Sequence, residues 1–161
     1  MKSTEEILEI LVQQFGEEHF TLGGGDIGEQ WITISAAALA DAAKFLRDDE
    51  RTQIDFLMCL SGVHYPKEEE LGVTYHTHST VLRHKLTFKV RVPESKSNIP
   101  SLESVWKTAD WHEREAYDMF GMTFDNHPNH TRILCPEDWE GHPLRKDYVQ
   151  QDFYQGITTR E

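Results

Sequence analysis

Cysteine is scarce in this sequence, and long apolar runs are missing. The chain of 161 residues contains only 2 cysteines, Cys59 and Cys135, and they lie far apart. Two thiols cannot supply the set of about four thiolates that a typical iron–sulfur cluster needs, and so low a content is typical of a reducing compartment. No segment reaches the roughly 18 to 20 apolar residues of a membrane-spanning helix. The polar start at residues 1–4 does not resemble a signal peptide.

Basic residues are also few relative to acidic ones. The sequence contains 16 Lys and Arg residues against 28 Asp and Glu residues, which gives a net charge of -12. A nucleic-acid-binding protein usually carries a basic stripe, and a protein that binds anionic lipid headgroups carries a basic cluster. We therefore expect neither nucleic acid nor a lipid surface as a direct partner.

The apolar periodicity predicts an α+β fold. Apolar residues recur at helical spacing over 4–15, and residues 84–92 alternate between apolar and polar, as in a strand with one buried face. The almost continuous apolar run 53–63 predicts the most buried strand, central in the sheet, with Cys59 as a small core residue. The other predicted elements are strands at 20–22, 30–35 and 72–82, a helix at 36–47 capped by Ser35, and a helical segment from 101 to 106. We expect two layers, with helices packed on a largely antiparallel sheet, in a domain spanning residues 1–124.

A glycine-rich stretch matches the spacing of a nucleotide-binding motif. Gly23, Gly25 and Gly28 fit G-x-G-x-x-G, but the dinucleotide fingerprint requires a helix to begin at the third glycine. Here a strand follows, so the pattern favours a flexible turn within a hairpin. The sequence also contains neither a G-x-S-x-G motif nor a Walker lysine.

Residues 110–120 are predicted to form a helix, with clear capping signals at both ends. Asp110 with Glu113 fits a capping box, and Gly121 lies where a left-handed C-terminal cap is expected. Arg114 and Asp118 lie four residues apart, which predicts that they meet on one face of the helix.

Histidine is abundant, with 9 residues, and raises the hypothesis of a metal site. The candidate pairs are His76 with His78, His127 with His130, and His112 with Glu115. None belongs to an H-E-x-x-H motif or lies beside a paired C-x-x-C. The spacing therefore favours ordinary hydrogen-bonding histidines over a stand-alone metal enzyme. Glu113 and Glu115 point about 200° apart on a helix, so they cannot flank one substrate.

The tail at residues 125–161 is predicted to be irregular and extended. Pro128, Pro136 and Pro143 interrupt it, and each removes a backbone donor. Aromatic and arginine anchors in an extended segment are typical of a protein–protein interface. The alternative is that the tail folds back on its own domain.

A family resemblance emerges from the second half of the chain. The string Glu113-Arg114-Glu115, followed by Asp118-Met119-Phe120-Gly121, and the run from 136 to 148 resemble the 30 kDa subunit family (the C subunit) of the proton-pumping NADH:quinone oxidoreductase, respiratory complex I. The order of helices and strands extends the resemblance over essentially the whole chain. The family usually reads His-Pro-Asp-Leu-Arg-Arg where residues 127–132 read His-Pro-Asn-His-Thr-Arg, so Arg132 would serve alone.

The resemblance implies a non-catalytic subunit of the peripheral arm, with no cofactor in this chain. FMN and the iron–sulfur clusters are then expected in other subunits, and the translocase activity belongs to the complex. It implies packing against the quinone-site (D) subunit and the iron–sulfur (B and I) subunits, on the cytoplasmic side of the inner membrane, with the membrane reached only through the complex. Related membrane-bound hydrogenases and other dehydrogenases carry similar subunits, which is the alternative. The expected interface residues are Glu113, Arg114, Glu115, Asp118, His127, Pro128, Arg132, Pro136, Asp138, Trp139, His142, Pro143, Leu144, Arg145, Lys146, Asp147 and Tyr148.

Overall fold

The computed structural model describes residues 1–24 and 28–159. Its helices are α1 (Thr4–Phe15), α2 (Leu39–Asp48) and α3 (Ala109–Phe120), with short 3₁₀ turns at Glu17–His19 and Glu94–Lys96. Its strands are β1 (Phe20–Gly23), β2 (Trp31–Ile34), β3 (Phe56–Tyr65), β4 (Glu70–His78), β5 (Lys85–Pro93), β6 (Asn98–Pro100), β7 (Thr123–Asp125), β8 (Phe153–Tyr154) and β9 (Ile157–Thr158).

The main sheet has five strands in the order β1-β2-β5-β4-β3. The pairs β1–β2, β3–β4 and β4–β5 are antiparallel, whereas β2 pairs with β5 in parallel, with Ile32 opposite Phe88. The predicted α+β fold with a largely antiparallel sheet is confirmed. Two shorter sheets, β6–β7 and β8–β9, accompany α3 and the C-terminal segment.

One face of the main sheet forms the core together with the first two helices. The alternation in β5 buries its even-numbered residues from Leu86 to Val92, as the sequence predicts. Leu11 of α1 and Leu46 of α2 are fully buried in the same cluster. The odd-numbered residues of β5 point to the other face, so the fold has two layers and one side of the sheet is open to solvent.

The prediction that residues 53–63 form the central strand is wrong. The strand β3 lies at the edge of the sheet, with Phe56 49% exposed and Met58 39% exposed. Apolar residues occupy both faces of this strand, so a continuous apolar run does not require burial on both sides. A bulge interrupts the pairing between Leu57 and Cys59. Cys59 is only partly buried, which also corrects its predicted place in the core.

The predicted cap at Ser35 is also wrong, because α2 begins at Leu39. The Ser35 hydroxyl instead contacts His19 Nδ1 at 3.0 Å, and the Ser35 carbonyl accepts the N–H of Ala38 at 3.1 Å in a turn. In α1, by contrast, Ser3 and Glu6 form a full capping box.

Other boundaries differ from the sequence prediction. The strand β4 ends at His78, and Ser79 Oγ accepts the N–H of Leu82 at 3.0 Å in a tight turn. Residues 101–106 form turns rather than a helix, anchored where Trp106 Nε1 donates to the Ile54 carbonyl at 3.0 Å. The glycine-rich turn includes residues 25–27, which lie outside the described residues. Within residues 1–24 and 28–159, none of the helices is long and apolar enough to cross a membrane.

Candidate functional site

Helix α3 is fixed at its start by Glu113, which acts differently from the expected capping box. The N-cap residue is Thr108, with no side-chain cap. The fully buried Glu113 carboxylate turns inward, where it accepts the Ser101 hydroxyl at 2.6 Å and the Leu102 N–H at 2.7 Å. The long-range donors replace the local cap, because burial leaves the carboxylate no water to bind. At the other end Gly121, with φ 79°, confirms the predicted left-handed cap.

The buried Glu113 lies beside a buried histidine. His127 Nε2 is 3.1 Å from the Asp110 carbonyl and 3.8 Å from Glu113 Oε2, and its Nδ1 accepts the Asn129 N–H. Burial raises the pKa of Glu113 to about 7, although the hydrogen bonds from Ser101 and Leu102 act in the opposite direction. This cluster joins α3 to the turns on either side of it.

Asp118, in the last turn of α3, holds the start of the tail. Its Oδ2 accepts the backbone N–H groups of Ile133, Leu134 and Cys135 at 3.0, 2.7 and 2.8 Å. Its Oδ1 lies 2.6 Å from Arg132 Nη1, and the side chain is fully buried. Burial alone would raise the pKa of Asp118, but these N–H groups and the guanidinium hold that pKa below its ordinary value.

The predicted pairing of Arg114 with Asp118 is wrong. Arg114 donates instead to the carbonyls of Thr131 and Arg132, both at 3.1 Å. Arg132 in turn donates to the carbonyls of Trp139 and Gly141 at 3.0 Å each. Both members of the expected pair thus bind the tail: Arg114 donates to tail carbonyls, and Asp118 accepts tail N–H groups and faces the Arg132 guanidinium.

A second set of contacts fixes residues 142–147. His142 Nδ1 lies 3.0 Å from the Asp118 carbonyl, and the Leu144 N–H donates to the Met119 carbonyl at 3.0 Å. The buried ring of His64 accepts the Lys146 N–H at Nδ1 at 2.9 Å. The tail therefore closes over the end of α3 instead of extending away from the domain.

The same His64 ring forms a charged cluster with the tail. Its Nε2 donates to Glu94 at 2.6 Å, and Arg145 bridges Glu94 and Asp147. His64 and Glu94 are absent from the expected site, since they lie far from residue 145 in sequence and belong to no motif. Only the tertiary pairing brings them together.

The fixed tail exposes apolar side chains. We call this set the C-terminal surface; its members, with their exposed fractions, are Leu134 (64%), Leu144 (52%), Val149 (76%), Phe153 (66%) and Ile157 (71%). Trp139 packs against Tyr154 with ring centroids 5.1 Å apart, and Tyr154 donates its hydroxyl to Asp138. We treat this set as a candidate contact surface, since contiguous exposed apolar patches mark interaction sites.

The expected interface residues thus divide by burial. Glu113 and Asp118 are fully buried, and so is the His127 side chain. Half-buried residues are Arg114, Arg132, Trp139, His142, Pro143, Arg145 and Tyr148. Exposed residues are Glu115, Pro128, Pro136, Asp138, Leu144, Lys146 and Asp147. Of the buried residues, Asp118 binds residues 132–135 of the tail, whereas Glu113 binds the turn that precedes α3.

The histidine pairs do not converge with other ligands. Across the described part of the chain, no group of three or more His, Cys, Asp or Glu residues could hold a metal ion. His76 Nδ1 lies 3.2 Å from the Thr87 hydroxyl, and His130 Nε2 accepts the Phe124 N–H. These rings act as hydrogen-bond partners.

Comparison with protein families decides the assignment. Residues 32–154 match the model of the family described as the respiratory-chain NADH dehydrogenase, 30 Kd subunit. The chain belongs to this family. As a member, it has the other subunits of a multi-subunit respiratory complex as its partners.

Curated relatives agree with the family match. The C subunit of the NADH-quinone oxidoreductase of Chlorobium phaeobacteroides is 44% identical over 150 residues, covering 92% of this chain and 90% of that protein. The same subunit of Chloroherpeton thalassium is 44% identical over 92% of this chain but 62% of its own length. In a Nocardioides species the identity is 49% over 75% of this chain and 49% of the relative. This family member thus matches relatives of differing length.

Solved structures share the fold. A trypsin-resistant fragment of Nqo5 aligns with a TM-score of 0.60 at 22% identity, covering 78% of this chain and 97% of the fragment. A chain from the membrane-bound sulfane sulfur reductase, an archaeal respiratory membrane complex, aligns with a TM-score of 0.71 at 23% identity, covering 90% of this chain and 85% of that one.

Proposed function

We propose that this chain is a non-catalytic, cofactor-free scaffolding subunit in the peripheral arm of an NADH:quinone oxidoreductase. The observation that carries the proposal is the C-terminal surface, whose apolar side chains lie on a segment that its own domain holds in place. Electron transfer from NADH to quinone, coupled to translocation, then belongs to the assembled complex, with FMN and iron–sulfur clusters in other subunits.

The arrangement of the tail supports a docking role. Asp118 and His64 fix the segment before any partner arrives, so less conformational entropy is lost on docking. Leu134 and Leu144 expose apolar area that a covering subunit would remove from water, at about 25 cal/mol per Å². The proposed occupants are the quinone-site (D) subunit and the iron–sulfur (B and I) subunits, on the cytoplasmic side of the membrane.

The test is a pair of charge insertions in the C-terminal surface. Leu134→Asp combined with Leu144→Asp places carboxylates where an interface would bury them, which costs several kcal/mol when no partner charge is present. Val81→Asp is the control for inserting a charge at an exposed apolar position, since Val81 is 65% exposed in the turn after β4. The measurement is the fraction of chain that co-purifies with the other subunits from native membranes.

We expect the double variant to remain folded and to lose co-purification, while Val81→Asp behaves as the wild type. Equal co-purification of all three proteins would refute the docking role of the C-terminal surface. The identity of the co-purified subunits, together with NADH-dependent quinone reduction, separates an NADH:quinone oxidoreductase from a related hydrogenase complex.

A further inference from the structure

The open face of the main sheet has an unusual charge for this protein. The solvent-facing residues of β5 include Lys85, Lys89 and Arg91, in a chain whose net charge is -12. We call this surface the open sheet face; it comprises the outward residues of β2, β3, β4 and β5. Among the described residues, α1, α2 and α3 all contribute buried side chains to the core on the opposite side of the sheet.

Two of these cations lie over aromatic rings. Lys89 Nζ lies 3.4 Å from the centroid of the Trp31 ring, and Arg91 Cζ lies 3.9 Å from that of Tyr65. A cation–π contact holds a cation in position without cancelling its charge. The ends of both side chains are thus positioned while most of their positive charge stays available.

Few carboxylates pair with these cations, although Glu29 lines the same surface cavity as Lys85. Within residues 1–24 and 28–159, neither Lys85 nor Lys89 forms a salt bridge, and Arg91 meets Glu70 only at 3.5 Å at the rim. Burial and the neighbouring Arg91 charge lower the pKa of Lys89, which means that an added anion would relieve an unfavourable environment. This charge pattern is complementary to a partner surface that carries carboxylates.

We propose that the open sheet face docks an acidic segment of another protein subunit, at a second interface separate from the C-terminal surface. An anionic membrane or a nucleic acid is a poor fit, because the net charge of -12 repels an extended polyanion. A short acidic segment meets only the local positive stripe. Its side chains would reach the cations on β5, which span about 20 Å along the strand.

This inference rests on the proposed function, since it needs a partner within the assembled complex. The first test is zero-length carbodiimide cross-linking of the native complex, which joins a lysine amine to a carboxylate in direct contact. We expect peptides that link Lys85 or Lys89 to Asp or Glu residues of another subunit. Links from these lysines only to their own chain, or no links, would overturn the proposal.

The second test reverses the charge. Lys85→Glu combined with Arg91→Glu should lower retention of the chain in the complex about tenfold, and most strongly at low ionic strength. Lys44→Glu combined with Lys107→Glu makes the same charge change at exposed positions outside this face. Equal retention of the two double variants would also overturn the proposal. Thermal melting of each free chain verifies that it folds.

The two proposals fail differently. If the wild-type chain does not co-purify with other subunits, the proposed function is wrong. If it co-purifies through the C-terminal surface while Lys85 and Lys89 show no intersubunit links, only the second interface is wrong.

Discussion

Replacing Asp118 by Asn should release the tail while the domain stays folded. In the wild type, one carboxylate accepts three backbone N–H groups and faces the guanidinium of Arg132. Asn has nearly the same shape but a single acceptor oxygen, and its amide N–H groups would point at other donors. The change therefore removes the charge and part of the acceptor capacity without opening a cavity.

The expected cost follows from these contacts. A hydrogen bond to a charged group contributes about 1.5 to 3 kcal/mol, and breaking a buried ion pair costs about 3 to 5 kcal/mol. The terms overlap, because they share one carboxylate and water can enter once the loop at 132–135 opens. We therefore expect about 3 kcal/mol in the local opening free energy, or roughly a hundredfold in the opening equilibrium.

Hydrogen exchange measured by NMR tests this expectation directly. The amides of Ile133, Leu134 and Cys135 should lose protection about a hundredfold, or all of it where the wild-type factor is smaller, while amides in β4 and β5 keep theirs. Glu115→Gln is the matched control, since Glu115 is an exposed carboxylate on the same helix. Unchanged protection at residues 133–135, or an equal loss throughout the core, would refute the reasoning.

The pH dependence provides an internal check. Because the pKa of Asp118 is lowered in the folded protein, its contribution is present above the unfolded pKa and is lost as the pH falls through the folded one. Protection of the three amides should therefore decrease in acid in the wild type. In the Asn variant it should depend less on pH.

The remaining predictions concern neighbouring residues of α3. Burial raises the pKa of Glu113 to about 7 from 4.5, so the folded state binds the extra proton and stability should fall by up to about 3 kcal/mol as the pH rises from about 5 to 8. Urea unfolding of Glu113→Gln across that pH range should show no such fall. If the unfolding free energy of the variant still fell with pH as in the wild type, the assignment to Glu113 would be contradicted. Gly121→Ala puts a Cβ 2.7 Å from the His142 ring at φ 79°, whereas Gly156→Ala at φ 81° meets nothing within 4 Å. Both pay the left-handed strain of about 1 to 2 kcal/mol, so urea unfolding should show a larger loss at Gly121, and equal losses would disprove the contact. Arg114→Ala should reduce the amount of assembled complex on native gels more than the turnover of each complex; normal assembly with lost turnover would contradict that.

Local periodicity was sufficient to predict much of the fold. The helical spacing over residues 4–15 matches α1 to its terminal residues, and the alternation from Leu86 to Val92 matches β5. Both signals are produced within a few residues by the pitch of a helix or the pleat of a strand. The left-handed cap at Gly121 is local in the same sense, since only a residue without Cβ adopts it at little cost.

Long-range contacts explain what the sequence did not predict. Spacing rules predict a partner for Asp118 within its own helix, but the structure supplies donors from residues 132–135. Likewise Glu113 reaches Ser101 and Leu102 instead of its own helix terminus. The edge position of β3 depends on strand order, which hydrophobicity alone does not encode. The hydrogen-bond donors to both buried carboxylates come from other segments of the chain, which only the folded structure brings close.

The proposed docking role of the tail depends on residues that are buried within this chain. Asp118 is fully buried, yet it fixes the backbone of the exposed Leu134, because its carboxylate accepts the N–H of that residue. A tail that is ordered beforehand loses less entropy on docking than a free one, and each immobilised side chain otherwise costs about 0.5 to 1.5 kcal/mol. It follows that Asp118→Asn should weaken co-purification without changing any exposed residue. Leu144→Asp should also weaken co-purification, but by changing the exposed surface alone. Amide protection at residues 133–135 separates the two variants, because it should stay intact in Leu144→Asp and decrease in Asp118→Asn.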